Sequence, residues 1–294
     1  MSQQRGTQIF ERLHAAYLDL IPEVSQSIAD DERMGGAQNL RHYFGVGQSA
    51  LRLVKLGLMA GEKSPDSVRS ILDFPCGHGR VLRTLHAAFP GARLTAGDLL
   101  REGVAFCVDA FGATPVHSQL MPPVDIFPDR GNYDLIFVGS LMTHLESPRW
   151  QHFLGLFETL LAPEGLLIVT TCGPFVAYRM QRGETYGYQD AHAPKETARW
   201  TPADGALLSG AANLATLHLL RQYQQSGFGY LDDGSGGYGL TVSTPVWTLR
   251  QFERLQSLRV VTYLERGWDN HQDAVILIKR PFVTPDPAVK HPFL

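Results

Sequence analysis

The sequence predicts an α/β fold with a mostly parallel sheet, and three observations carry that prediction. Apolar runs at 70–73, 93–96, 115–118, 133–138 and 166–171 alternate with stretches at helical spacing. Such alternation belongs to a parallel sheet covered by helices on both faces. Two more apolar runs, 258–264 and 273–279, are joined only by residues 265–272. So short a link cannot make a crossover, so these two strands pair antiparallel and close a seven-stranded sheet. Finally, the first run ends in an acid, Asp73, followed by the tight turn Phe74-Pro75-Cys76-Gly77-His78-Gly79-Arg80 and then a helix.

The elements follow in chain order. Residues 8–28 read as an amphipathic helix through Ile9, Leu13, Tyr17 and Ile21, and 48–60 as another through Leu51, Val54, Leu56 and Met59. Between them, 39–47 reads as a turn-rich aromatic link containing Tyr43. Residues 1–66 thus form a helical cap ahead of the main domain, 67–294. A helix from 78 to 89 stops at Pro90-Gly91, and the strand 93–96 runs into Gly97-Asp98. The helix 101–111 turns Val104, Cys107, Val108 and Phe111 inward and ends at Gly112. A Pro-rich loop, 121–130, separates the third and fourth strands. Ser147 as cap and Pro148 in the first turn open a helix to 161, and Ala162-Pro163-Glu164-Gly165 turns into the fifth strand.

Residues 173–245 break the rhythm. They read as an insertion with a helix at 206–225 and a Gly- and Tyr-rich run, 227–239, that holds Asp232-Asp233. It is too long and too aromatic for a simple connector, so it is a candidate lid or acceptor wall. Those two acids would oppose a phosphate. A helix at 247–256 leads to the closing strands, and the tail after Pro281 reads as extended.

Composition narrows the function. A net charge of −3 provides no electrostatic footprint for nucleic acid or an anionic membrane. Cys76, Cys107 and Cys172 have no paired spacing, which predicts neither a disulfide framework nor a zinc motif. No signal peptide, transit peptide or spanning segment is visible, and a cytoplasmic protein is expected.

The acid at the first strand tip decides the ligand. A glycine turn ahead of a helix usually holds an anion, and a carboxylate there would repel a pyrophosphate. It suits a ligand that brings a cation. The segment resembles the first motif of class I S-adenosylmethionine (SAM) dependent methyltransferases. Asp73 takes the acid position, Gly77 and Gly79 the second and third glycine positions, and Pro75 stands where the first glycine is expected. The resemblance implies a Rossmann-like domain with SAM as cofactor, its methionine part lying along Cys76, Gly77 and Gly79. His78 between them points to solvent.

Asp98 closes the second strand, with Leu99 beside it, and an acid there accepts ribose hydroxyls. The bland alternative is a cap for the next helix. After the third strand, Ser118 and Gln119 stand where the family carries a partner for the adenine amino group. After the fourth, Gly139-Ser140-Leu141-Met142-Thr143-His144 resembles the family segment that runs beneath the cofactor. His144 is a candidate general base for a hydroxyl acceptor, against a structural role in the loop.

The hairpin tip Trp268-Asp269-Asn270-His271 is a second polar cluster on the ligand edge if the strand before it runs parallel to the rest. His271 is a second candidate base. Trp268 and Asp269, with Tyr43, Tyr178 and Tyr230, are candidate acceptor contacts. Asp, Asn and His can also ligate a metal, but the spacing matches no metal motif, so none is expected. The phrases around residues 74–80 and 265–272 resemble a bacterial methyltransferase group linked to surface-polysaccharide synthesis. That implies a small-molecule or glycan acceptor and oxygen transfer. Two other classes stay open: a non-catalytic SAM- or glycan-binding protein, and a nicotinamide-dependent oxidoreductase on the same fold. The latter is disfavoured by Asp73 and by the lack of a Gly-x-Gly-x-x-Gly run. Oligomeric state is not readable.

Overall fold

A computed structural model describes residues 23–32, 34, 40–183, 210–232, 234 and 237–280. Helix α1 (Leu40–Ala60) precedes β1 (Ser70–Asp73), α2 (Leu82–Ala88), β2 (Arg93–Asp98), α3 (Arg101–Phe111) and β3 (Thr114–His117). Then come β4 (Tyr133–Val138), α4 (Ser147–Leu160), β5 (Leu161–Thr171), α5 (Pro174–Gln181) and α6 (Gly210–Ser226). The hairpin β6 (Phe228–Asp232) and β7 (Gly239–Ser243) leads through α7 (Pro245–Phe252) to β8 (Leu258–Trp268) and β9 (Gln272–Lys279).

The seven-stranded sheet has the order β3-β2-β1-β4-β5-β9-β8. Strands β1 to β5 are parallel, β9 is antiparallel to both neighbours, and β8 therefore runs with the majority. The carboxyl ends of β1, β2, β4, β5 and β8 share one edge, and that edge is where open α/β sheets bind ligands.

Strand alternation divides the core. Ile71, Leu135, Phe137, Ile168 and Ile276 face α1, α2 and α3 on one side. Their chain neighbours Leu72, Ile136, Val138, Val169 and Val275 face α4 and α7 on the other. A third, smaller core joins Val176, Ala177 and Met180 of α5 to Leu219 and Leu220 of α6 and Val242 of β7. The insertion therefore has apolar packing of its own.

Local expectations fail in three instructive places. The stretch 39–47 is no turn: from Leu40 it is the first half of α1. Gly47 stands there for close approach, since a Cβ would lie 2.3 Å from Thr84 Oγ1 and 2.9 Å from Arg80 O. Most of the helix expected at 8–28 lies outside the described residues, and 23–28 is irregular. Ser147 does not cap α4; Glu146 occupies the cap without a side-chain bond, and Ser147 and Pro148 are the first helical residues. Gly112 does terminate α3, at φ 65°.

Candidate active site

The site is built at the carboxyl ends of β1, β2 and β4. The turn after β1 is fastened to its neighbours by backbone bonds: Phe74 N to Phe137 O at 3.0 Å and Cys76 N to Gly97 O at 3.0 Å. The Phe74–Pro75 peptide is cis, and the left-handed positions are Gly77 and Gly79. Asp98 closes the turn onto β2. Its Oδ2 accepts from Gly77 N at 2.7 Å and its Oδ1 from Leu100 N at 2.9 Å. Each carboxylate oxygen retains a second lone pair.

Asp73 is 1% exposed, and its Oδ2 has no hydrogen-bond partner among the described residues. Burial, with the Asp98 charge adding to it, pushes this carboxyl well above the usual range, against a Leu82 N–H that pulls it down. An orphaned buried carboxyl oxygen beside an open turn is costly unless a ligand completes it. A cationic ligand does so, and these residues therefore fit SAM.

The two motif glycines differ. A Cβ on Gly77, φ +50°, would meet nothing within 4 Å, so its backbone is open to a ligand. A Cβ on Gly79, φ +72°, would strike Phe111 at 2.6 Å and Cys107 Sγ at 3.0 Å. Gly79 thus leaves no room for a side chain beside α3. Cys76 is buried, with Sγ directed at Gly77 O at 3.4 Å. A hydrogen bond shared with Cys107, together with burial, pushes its thiol well up, so it is no ready nucleophile.

Beyond β2, Leu99 is 52% exposed at the rim. Ser118 N donates to Asp98 O at 2.8 Å, its hydroxyl turns to Gln119 O, and Gln119 is exposed. Past β4, Gly139 lies under Trp268, its Cβ position 3.0 Å from the indole. Ser140 adopts φ 58° and sits in a ring of polar bonds. Ser140 N donates to Thr170 Oγ1 at 2.8 Å, Thr170 Oγ1 donates to Gln272 Oε1 at 2.7 Å, and Gln272 Nε2 returns to Ser140 Oγ at 2.8 Å. That ring ties together the ends of β4, β5 and β9.

His144 is half-buried and stacks on Tyr238 with centroids 4.6 Å apart and planes at 13°. Its Nδ1 lies 2.7 Å from Gly239 O. A carbonyl only accepts, so Nδ1 carries the proton and the neutral ring has its lone pair on Nε2. His271 is half-buried with its ring edge-on to Phe175 at 6.5 Å.

Several candidate acceptor contacts are placed elsewhere. Tyr43 is fully buried; its hydroxyl donates to Glu32 Oε2 and accepts from Arg83 Nη2, both at 3.1 Å. Trp268 is 4% exposed, packs on Phe137 and donates to Val46 O at 3.3 Å. Both belong to the core: Tyr43 lies on the buried face of α1, and Trp268 lies beneath that helix. Asp269 Oδ2 lies 2.7 Å from His42 Nε2, and Asp269 N donates to Ser49 Oγ, so this acid fastens the hairpin tip to α1. Tyr178 is exposed and accepts from Arg182, while Tyr230 donates to Asp232 Oδ2 at 3.1 Å on the insertion.

The structure adds a group the sequence does not announce. Arg83 is fully buried, with Nη1 donating to Ser25 O and Ser27 O and Nη2 to His78 O. Its Nε reaches Gly79 O at 3.1 Å, and its guanidinium lies over the Tyr43, Phe44 and Phe111 rings. Residues 23–32 are thereby strapped over the motif turn. His78 is not solvent-facing: it is 6% exposed beneath this strap. Its Nε2 faces Asp31 Oδ1 at 3.1 Å, out of line for a hydrogen bond. The only signal for Arg83 was a charge on the inward face of a helix, which composition cannot distinguish from a surface charge.

Residues 71–165 match the family model described as "Methyltransferase domain". Those residues therefore carry a methyltransferase domain, set in the Rossmann-like α/β fold described above. A malonyl-[acyl-carrier protein] O-methyltransferase from Halalkalibacterium halodurans is 27% identical over 135 residues, 45% of this chain and 49% of that protein. The chain spans about half the length of this curated relative. Among solved structures, a Pyrococcus horikoshii OT3 protein aligns with TM-score 0.53 at 10% identity, covering 85% of this chain and 97% of that one. A SAM-dependent methyltransferase from Clostridium acetobutylicum aligns with TM-score 0.52 at 11% identity, covering 84% and 96%. These two likenesses concern the fold alone. Among the described residues, no group of three or more acids, histidines and cysteines could hold a metal ion, and no helix is long and apolar enough to cross a membrane.

Proposed function

We propose that this protein transfers a methyl group from SAM to an oxygen of a small-molecule acceptor, with a sugar or glycan hydroxyl as the acceptor class to test first. The observation that carries the reading is the unpartnered, buried Asp73 oxygen at the tip of β1, beside an open glycine turn that Asp98 closes. It favours a cation-bearing ligand over a nicotinamide dinucleotide, whose pyrophosphate it would repel. The O-methyltransferase named among the relatives supports an oxygen acceptor.

When bound, SAM supplies a methyl already activated by a sulfonium. The chain then has three tasks. The turn at Pro75, Cys76 and Gly77 cradles the methionine part, with Asp73 offset against its positive charge. Asp98 holds the ribose, with Leu99, Ser118 and Gln119 around the base. Gly139 and Ser140, immobilised by Thr170 and Gln272, set the floor over which acceptor and methyl align, and alignment supplies much of the acceleration in such displacements. His144, held with its proton on Nδ1, presents Nε2 as the base that takes the acceptor's proton. His271 is the second candidate.

Calorimetry with SAM and NAD, followed by a screen for S-adenosylhomocysteine across sugar, nucleotide-sugar and malonyl-thioester acceptors, tests the reading. SAM binding with turnover on a hydroxyl acceptor is expected; NAD binding without SAM binding would overturn it. Once an acceptor is found, His144→Gln should slow single-turnover transfer by about 10²–10⁴-fold and alter its profile between about pH 5.5 and 9, with SAM affinity kept. Near-normal rates in both His144→Gln and His271→Gln would assign both rings to structure.

A further inference from the structure

We propose that Arg80 binds the carboxylate of the cofactor's amino-acid end, so that Asp73 and Arg80 together recognise a ligand bearing ammonium and carboxylate on one carbon. This rests on the SAM reading above and adds to it a residue that the motif resemblance leaves without a role.

Arg80 and Arg83 stand close together in the chain and have opposite fates. Arg83 is fully buried, and its guanidinium donates to the carbonyls of Ser25, Ser27, His78 and Gly79. Arg80 is half-buried, and among the described residues its guanidinium donates no hydrogen bond and forms no ion pair. A guanidinium carries several N–H donors in a fixed fork, and a partly buried charge without a partner is costly. Its nitrogens are not sealed off. Among the described residues, the buried side-chain atoms without a partner are Asp73 Oδ2, His78 Nε2 and Thr171 Oγ1.

The acids around Arg80 are committed elsewhere. Glu32 accepts from the Tyr43 hydroxyl and from Met34 N, and Asp269 lies against His42. Burial lowers the Arg80 pKa, while Glu32, Asp269, Tyr43 and Asp73 act through space to favour its charge. The same acids bar a highly charged anion such as a phosphate dianion from this place, and a single carboxylate in direct contact with the fork is the partner that fits.

Asp73 is the complement. The Leu82 N–H, two residues beyond Arg80, serves its carboxyl, and Oδ2 is left open. The acid and the guanidinium lie in each other's field but make no ion pair. An α-amino acid completes both, with its ammonium on Asp73 and its carboxylate on Arg80. A simple amine satisfies only the first, and a pyrophosphate only the second. Guanidinium forks match carboxylate oxygens in pairs.

The test is calorimetric titration of the full chain with S-adenosylhomocysteine and with its decarboxylated analogue, which keeps the adenosine, the thioether and the amino group. Wild type should prefer S-adenosylhomocysteine by about 10–100-fold, the worth of hydrogen bonds to a charged group. Arg80→Gln should erase that preference by weakening S-adenosylhomocysteine alone, and its unchanged affinity for the analogue certifies its fold. Arg80→Lys keeps the stem and the charge but loses the fork, and should retain part of the preference. Equal binding of both ligands by wild type overturns the proposal. So does an equal loss of both in Arg80→Gln, or an undiminished preference in Arg80→Lys. Wild type binding neither ligand would instead remove the SAM reading on which the proposal rests.

Discussion

The two halves of the ligand edge are built on different principles. On the proposed cofactor side the turn and its partners lie between Asp73 and Gln119, with Gly139 and Ser140 shared with the acceptor side, and bonds such as Gly77 N to Asp98 join neighbouring βα units. On the acceptor side the same edge is assembled from residues far apart in the chain. Ser140 meets Gln272, His144 meets Gly239, and Asp269 meets Ser49. The first half is a local motif that must recognise one constant ligand. The second is a composite whose parts can change separately, as suits a varying acceptor.

The comparison can be broken most strongly at Arg83, where the cofactor side depends on a distant segment after all. Arg83→Ala leaves the Ser25, Ser27, His78 and Gly79 carbonyls without their shared donor, and should cost about 3–5 kcal/mol in urea unfolding. A loss below about 1 kcal/mol would mean that the strap is independent of the motif. Next come the two glycines. Gly79→Ala should destabilise by about 2–4 kcal/mol through its collision with Phe111 and its positive φ. Gly77→Ala should cost about 1–2 kcal/mol of stability but most of the SAM affinity, because its Cβ points into open space. Equal effects on both properties would erase the distinction between a packing glycine and a ligand glycine.

Asp98→Ala should weaken SAM binding by about 1.5–3 kcal/mol in calorimetry, the worth of hydrogen bonds to a charged group. Unchanged affinity in a folded variant would remove the ribose assignment. The subtlest effect concerns Asp73. Its folded-state acidity is weakened, so between the ordinary carboxylate range and its raised value the folded chain holds a proton that the unfolded chain lacks. Stability without cofactor should therefore fall as pH rises through that window. Asp273 shifts in the same direction, so Asp73→Asn should shrink this slope and not abolish it. A cation arriving beside Asp73 should expel the proton, so SAM affinity in the wild type should rise with pH across the same window.

This division also explains what could be read from the chain alone. Strand boundaries at 70–73 and 133–138, the helix 101–111 and the antiparallel closing pair follow from apolar spacing and link length, which are local properties. The acid at each strand tip was readable for the same reason. Tyr43 and Trp268 look like acceptor contacts because an aromatic residue carries the same letter in a wall and in a core; only the position of α1 separates the two. Arg83 was invisible because its partners lie in a segment with no pattern of its own.

One feature of the insertion reaches beyond this molecule. Strand β7 donates Gly239 N to His144 O and Thr241 N to Thr143 O, and Ser243 N to Cys172 O. Strand β7 of the proposed acceptor wall is thus hydrogen-bonded to the loop that bears the candidate base. For an engineer, residues 173–245 are not a cassette. A transplanted wall would arrive without the seam that orients His144, so altered selectivity has to be introduced by exchanging 139–145 and the insertion together.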